Sequence, residues 1–349
     1  MGFTNQHLLF FLCFALVVVV GLWANPILAR PLDHHKALSK RERHELWMAR
    51  HERVYKDLKE KEKRFNIFKE NVEHIENFNA NASSTKSFKL GVNAFADLTN
   101  EEFVTTHTGY KKQFSYSKSM SSYSMTNGLS GDELPESLDW RNKGAVTGVK
   151  YQGNCGCCWA FSAVAAVEGL NYIRTGELSS FSEQELLDCV TSNSGCNGGE
   201  MTTAFEFIQQ SQGLLTEAEY PYTGTQGQCQ LTSGSDSVGA VKINSFQSLP
   251  KNNEDTLKQA VAQQPVSVGI DGSGSEFLYY KGGVFDGNCG QAMTHAVTII
   301  GYGTDTYYGK DYWLVKNSWG ETWGENGYMR IIRGQNQCGI TFDASYPVL

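Results

Sequence analysis

The sequence predicts an α+β protein with a mainly helical lobe and a mainly β lobe, standing behind a charged helical leader. Three observations carry this. Residues 38–80 place Trp47, Tyr55, Phe65, Phe68, Val72, Ile75 and Phe78 at three- and four-residue steps among Lys, Arg and Glu, the period of amphipathic helix. From Leu134 to Gln210 the apolar pattern is again helical. From Val238 onward it changes to short β-branched runs punctuated by glycine. The chain's 35 glycines point to many turns and not to a helical bundle.

Taken in order, Leu8 to Ala24 is nearly uninterrupted apolar sequence with no Lys or Arg before it. It is short for a membrane span and reads as a cleaved signal peptide over 1–24, an uncleaved anchor being the alternative. Residues 25–133 form the leader, with its helical part at about 44–100 and a linker at about 111–133. The stretch 111–131 is rich in Ser, Tyr, Lys and Gly without apolar period, so it should be easily cut. Asn81-Ala82-Ser83 is an N-glycosylation sequon. The body covers 134–349. In it, Trp159, Phe161, Ala165, Val167 and Leu170 mark a buried helix ending near Gly176. Ser182 caps a second helix through the acids that follow, and Ala204–Gln210 is a third. Strands are expected at Val238–Ile243, Val266–Ile270, Ala296–Ile300, Tyr312–Val315 and Tyr328–Ile332.

The net charge of −7 conceals a split: residues 1–133 hold 18 Lys and Arg against 15 Asp and Glu, the body 12 against 22. A basic leader and an acidic body should attract each other, and an acidic body is not a nucleic-acid binder. Eight of the nine cysteines lie in the body. An even count in such a chain implies disulfides and an oxidising compartment, without fixing the pairing.

Cysteines crowd Cys155-Gly156-Cys157-Cys158, where a turn becomes the apolar helix. A thiol at a helix N-terminus is stabilised as the anion, the form that attacks carbonyls. Seven of the eight histidines precede residue 108, leaving His295 as the body's one imidazole and the base for Cys158 unless a carboxylate serves. Asn317 follows an apolar run and can fix the tautomer of that histidine.

The Cys-Gly-x-Cys-Trp signature with His and Asn far downstream resembles papain-like cysteine proteases. Leu134-Pro135…Asp139-Trp140, Gly195–Gly199, Thr294–Val297 and Asn317–Gly324 match the same family. In the leader, Glu60, Arg64, Phe68, Asn71, Ile75 and Asn79, then Gly91, Asn93, Phe95 and Asp97, match two motifs of cathepsin L-like pro-segments. Asn25-Pro26-Ile27 is similar to a motif in plant vacuolar pro-segments. One departure is Cys157, where the family pattern has Ser or Ala.

The resemblance implies a two-lobed papain-like fold, a helical left lobe and a β-barrel-like right lobe, behind an inhibitory helical pro-domain. It implies disulfides Cys155–Cys196, Cys189–Cys229 and Cys289–Cys338. It implies a thiolate–imidazolium pair of Cys158 and His295, Asn317 orienting the ring, Trp319 covering that bond, and the Gln152 amide with the Cys158 N–H as oxyanion hole. Gly198 and Gly199 would offer backbone to an extended peptide. Met201, Gly269, Met293 and Ala296 would line the pocket for the second residue before the cut, with Asp343 as its floor. Thr294 and Glu200 differ from the best-known member. The expected protein is a monomeric endopeptidase zymogen preferring an apolar second residue. It has its own pro-segment as inhibitor, peptide substrates, cystatin-type inhibitors as further partners, no cofactor and no metal, and works in an acidic vacuole- or lysosome-like compartment or outside the cell. Protonation of the body's carboxylates should loosen the pro-segment. The rival readings are an inactive storage or binding protein on the same fold, a thiol-disulfide oxidoreductase using Cys155-x-x-Cys158, and a metal module. The last lacks a second Cys-x-x-Cys or histidine. Cys157 reads as an inert small side chain, with a second redox-sensitive thiol or a resolving partner for an oxidised Cys158 as the other readings.

Overall fold

The computed structural model describes residues 38–81, 86–112, 134–211, 213–231 and 240–349. The expected signal peptide, Asn25–Ile27, the sequon residues Ala82 and Ser83, the linker from 113 on, and Val238 lie outside these. The chain divides into two compact units at Leu58. In the first, helix α1 (Lys40–Arg50) opens with a reciprocal capping box between Ser39 and Glu42. His44 stacks on Trp47 and on Tyr55.

The second unit, from Lys59 on, holds nearly all of α2 (Leu58–Asn81), which buries Phe65, Phe68, Val72 and Ile75. The apolar period of the sequence is that buried stripe. There follow β1 (Phe88–Leu90) and α3 (Asn100–His107), the latter capped by Thr99 and Glu102. In the body come β2 (Leu138–Asp139), the long helix α4 (Cys158–Thr175), α5 (Glu183–Cys189) and α6 (Met201–Gln210). Then follow β3 (Ser245–Ser248), α7 (Glu254–Gln263), β4 (Val266–Ile270), β5 (Tyr280–Phe285), β6 (His295–Asp305), β7 (Lys310–Lys316), β8 (Tyr328–Ile332) and β9 (Ala344–Val348). Helix α4 is apolar on nearly every side and ends at Gly176, whose φ of 76° is the left-handed cap that glycine tolerates.

Two hydrophobic cores form. One gathers α4, α5 and α6 around Trp159, Val164, Leu186 and Phe205. The other gathers the strands around Val268, Ile299, Trp313 and Trp323. The strand order is β1-β5-β8-β7-β6-β4-β9-β3, with β2 paired to β6. The expected barrel-like lobe is therefore an open sheet. One end is the leader's β1, antiparallel to β5. At the other, β3 turns toward the helical lobe, where Phe246 joins its core. The expected strand at Val238–Ile243 is also corrected: Val241 makes only an isolated bridge to Leu214.

Candidate active site

Cys158 is the first residue of α4 and fully buried. Its Sγ accepts the Ala296 N–H at 3.4 Å. His295 opens β6, held by its register against Ile270 of β4. Its Nε2 lies 2.8 Å from Asn317 Oδ1. That oxygen also accepts the Ser318 N–H at 2.8 Å, so it is an acceptor, Nε2 carries the proton, and Nδ1 keeps its lone pair. Nδ1 has no hydrogen-bond partner among the described residues. The ring stacks on Trp319 at 4.5 Å, which itself sits edge-on to Phe277 and Trp323. This aromatic wall keeps water from the His295–Asn317 bond.

Burial sets the charge state. It pushes the Cys158 thiol up to about 12, against smaller lowering by backbone N–H groups, and the His295 imidazole down to about 4. While the leader covers the site, burial therefore acts against the expected thiolate–imidazolium pair and favours thiol and neutral imidazole.

The cover is a strap of the leader, residues 107–112. Gly109 N and Tyr110 N both donate to Thr294 O, at 3.0 and 2.9 Å. Gly199 N donates to Gly109 O at 2.8 Å and Lys111 N to Gly199 O at 2.9 Å, a parallel bridge of Tyr110 with Gly199. Gly198 lies so near that a Cβ there would stand 2.6 Å from Gly109 O. The strap also touches the turn before Cys158: a Cβ on Gly109 would stand 1.9 Å from the Gly156 carbonyl oxygen. Only glycine permits that approach.

Gln152 is fully buried. Ser318 Oγ donates to its Oε1 at 2.6 Å, which orients the amide. Its Nε2 then donates to the strap's His107 carbonyl at 3.2 Å and to the Cys155 carbonyl at 2.7 Å. Trp319 Nε1 donates to the same His107 carbonyl at 3.2 Å. A carbonyl of the leader therefore takes the donor that the sequence assigns to a reacting carbonyl. Gly269 of β4, Met293 and Asp343 meet around the Tyr110 ring: a Cβ on Gly269 would stand 3.2 Å from both Met293 Sδ and the ring. The phenol donates to Asp343 Oδ2. Met201 and Ala296 belong to the apolar cluster that includes Tyr110. The assigned pocket residues come together, and the leader fills the space they enclose.

Above the strap the leader is held by a clamp. Arg64 pairs with Glu60 and Glu102, both at 2.7 Å, and donates to Asp97 O at 3.0 Å. Asn71 donates to Ala96 O and Leu98 O, and Asn79 exchanges two bonds with Leu90. Asn93 donates to Leu278 O. Phe95 and Phe103 pack on Trp319. So leader and body meet through backbone and aromatic contacts, joined by an ion pair of Lys112 with Asp343 at 2.9 Å. Within the leader, Lys63, Arg64, Glu60 and Glu102 pair with one another, so these four charges are not spent on the body.

Disulfides join Cys155–Cys196, Cys189–Cys229 and Cys289–Cys338. Each closes a loop of forty or so residues, worth roughly 3–4 kcal/mol in the loop-entropy account. Asn81 ends α2. Cys157 is buried, with Sγ 3.0 Å from the Tyr222 hydroxyl, and burial raises its thiol further still. Tyr222 donates to Gln152 O at 2.7 Å, so Cys157 faces a structural tyrosine and not the cleft. Sequence reasoning missed His107, Gly109, Tyr110, Tyr222 and Ser318. The strap follows the second leader motif after one short helix, α3, which was the available signal for the first three. Behind the site, Lys150, Glu168, Glu183 and Lys316 form a buried ion network, and Lys316 donates to Thr147 at 2.8 Å, anchoring the residue before Asn317. Among the described residues, no cluster could hold a metal ion and no helix is long and apolar enough to cross a membrane.

Comparison with known proteins places this geometry. Residues 134–348 match the papain family cysteine protease description, and residues 44–103 the cathepsin propeptide inhibitor domain. The chain is 50% identical over 330 residues to senescence-specific cysteine protease SAG12 of Arabidopsis thaliana, covering 92% of this chain and 93% of that protein. It is 48% identical to vignain of Ricinus communis, covering 90% and 89%. Among solved structures, a recombinant stem bromelain precursor superposes with a TM-score of 0.78 at 43% identity, covering 89% of this chain and 99% of that one.

Proposed function

The chain belongs to the papain family of cysteine proteases, in zymogen form with its own inhibitory propeptide domain, and on that footing we propose the residue roles as follows. The thiolate of Cys158 attacks the peptide carbonyl. His295, oriented by Asn317 through Nε2, returns the proton from Nδ1 to the leaving amine and then activates the water that hydrolyses the thioester. Gln152, aimed by Ser318, donates to the oxyanion. The observation that carries this is the His107 carbonyl on Gln152 Nε2, a leader oxygen held where a substrate oxygen would be stabilised.

The leader inhibits by occupancy and by charge state. It fills the cleft, and it keeps thiol and imidazole neutral. Removal of residues 25–133 opens the cleft, water returns, and the two groups can rest as an ion pair, each stabilising the other. Gly198 and Gly199 then pair with the substrate backbone, and the pocket of Met201, Gly269, Met293, Ala296 and Asp343 takes the second residue before the cut. A signal peptide over 1–24 routes the chain to an acidic vacuole-like compartment or outside the cell. The mature enzyme works as a monomer open to cystatin-type inhibitors.

The test is processing of the purified full-length chain at pH 4.5 and pH 7 beside Cys158→Ala. The reading expects loss of roughly 100 residues at acid pH, thiol-dependent peptide hydrolysis in the wild type, and none in the variant. Hydrolysis retained by Cys158→Ala would refute the role of the thiol.

A further inference from the structure

We propose that the pocket of Gly269, Met293 and Asp343 selects tyrosine at the second position before the cut, over phenylalanine and leucine, with Asp343 as the specificity-determining residue. This rests on the peptidase reading above. The occupant is already in place. Tyr110 of the strap is buried, 4% exposed. Its ring lies where a side chain on residue 269 would stand, 3.2 Å from a Cβ there, so glycine makes the room. Its hydroxyl donates to Asp343 Oδ2.

An apolar pocket alone would hold phenylalanine as well as tyrosine. The carboxylate at its floor breaks that equality. Asp343 is 9% exposed, and its Oδ2 takes two donors, the Tyr110 phenol and Lys112 Nζ at 2.9 Å. Lys112 is a third exposed and leaves with the pro-segment. Once it has gone, a phenylalanine or leucine would bury the carboxylate without a donor, whereas a tyrosine would supply one. Sites built to hydrogen-bond a hydroxyl reject the analogue lacking it far more strongly than apolar pockets sort by size. Side-chain recognition of this kind does not depend on the direction in which the strap's backbone runs.

The experiment uses the matured enzyme, its active sites counted with a thiol-directed peptidyl epoxide. Four fluorogenic peptides differ only at the second position: Tyr, Phe, Leu and Lys. The expected kcat/KM for Tyr exceeds that for Phe by about tenfold, and the ratio falls to about one in Asp343→Ala. A Tyr:Phe ratio of one in the wild type, a ratio unchanged in Asp343→Ala, or a Lys peptide above Tyr would overturn the proposal. Should no peptide be cleaved, the peptidase reading itself fails and takes this inference with it. A second measurement leaves the body untouched. Tyr110→Phe in the full-length chain should speed epoxide labelling at pH 7 by about tenfold, and unchanged labelling would contradict the role of the hydroxyl.

Discussion

The leader is held by two devices of different chemistry. The clamp, α2 over residues 93–98 and α3, is a set of ion pairs and amide-to-backbone bonds closed within the leader itself. The strap, His107 to Lys112, has little internal structure and spends its bonds on the body: Thr294, Gly199, Gln152, Trp319 and Asp343. The clamp gives the leader a shape, and the strap gives it an effect. Inhibition should therefore respond most to changes in the strap, and folding of the leader most to changes in the clamp.

The largest effect is expected at Gly109. A methyl group there meets the Gly156 backbone oxygen at 1.9 Å, and neither backbone can yield without unseating the strap. Gly109→Ala should cost more than about 3 kcal/mol of seating. Epoxide labelling of the full-length chain at pH 7 should rise by two orders of magnitude, and a rise of less than twofold would break the contrast. Next is the covered imidazole. Its folded value near 4 lies below the ordinary 6.5. A neutral buried histidine stabilises the fold fully above pH 6.5, and that contribution is lost as pH falls toward 4. It amounts to about 3 kcal/mol. Chemical denaturation of full-length Cys158→Ala at pH 7 and pH 4.5 should show most of this loss, and a further His295→Asn change should remove it. The clamp behaves otherwise. Hydrogen bonds and the Arg64 charge hold Glu102 down to about 2 against its own desolvation, so its contribution persists until pH falls well below 4.5 toward 2.

Smaller effects sharpen the picture. Arg64→Ala should lower the leader's stability by about 1–2 kcal/mol, read as an earlier first transition in thermal unfolding, with labelling at pH 7 raised far less than by Gly109→Ala. Cys157→Ser should change kcat/KM of the matured enzyme less than threefold, because a hydroxyl can also meet Tyr222. A large loss would show that the thiol does more than fill space.

The helical lobe was the more legible half. Ser182, Gly176 and the apolar run after Cys158 mark boundaries by local chemistry, and local chemistry is what a sequence displays. In the β lobe, β4 and β8 match their β-branched runs. β5 was missed because Gly282 and Gly283 interrupt it, and β9 because Pro347 argues against a strand. Both are held by partners distant in sequence: β9 lies between β4 and β3, and β5 between β8 and the leader's β1. At the site, the cysteine, histidine and asparagine were legible as residue types with few competitors. The desolvation that burial imposes on them was not, because it depends on what covers the cleft. Tyr110 and Gly109 carry no chemical signature of their own, and their meaning appears only when the strap is laid against Gly156 and Asp343.

The central claim is that the strap covers Cys158 and keeps it from reacting until the leader is removed. Alkylation by iodoacetamide at pH 6, followed by peptide mapping, tests it on the full-length chain and on the matured enzyme side by side. The account predicts stoichiometric modification of Cys158 in the matured enzyme and essentially none in the intact chain over the same time. Equal modification of Cys158 in both would contradict it.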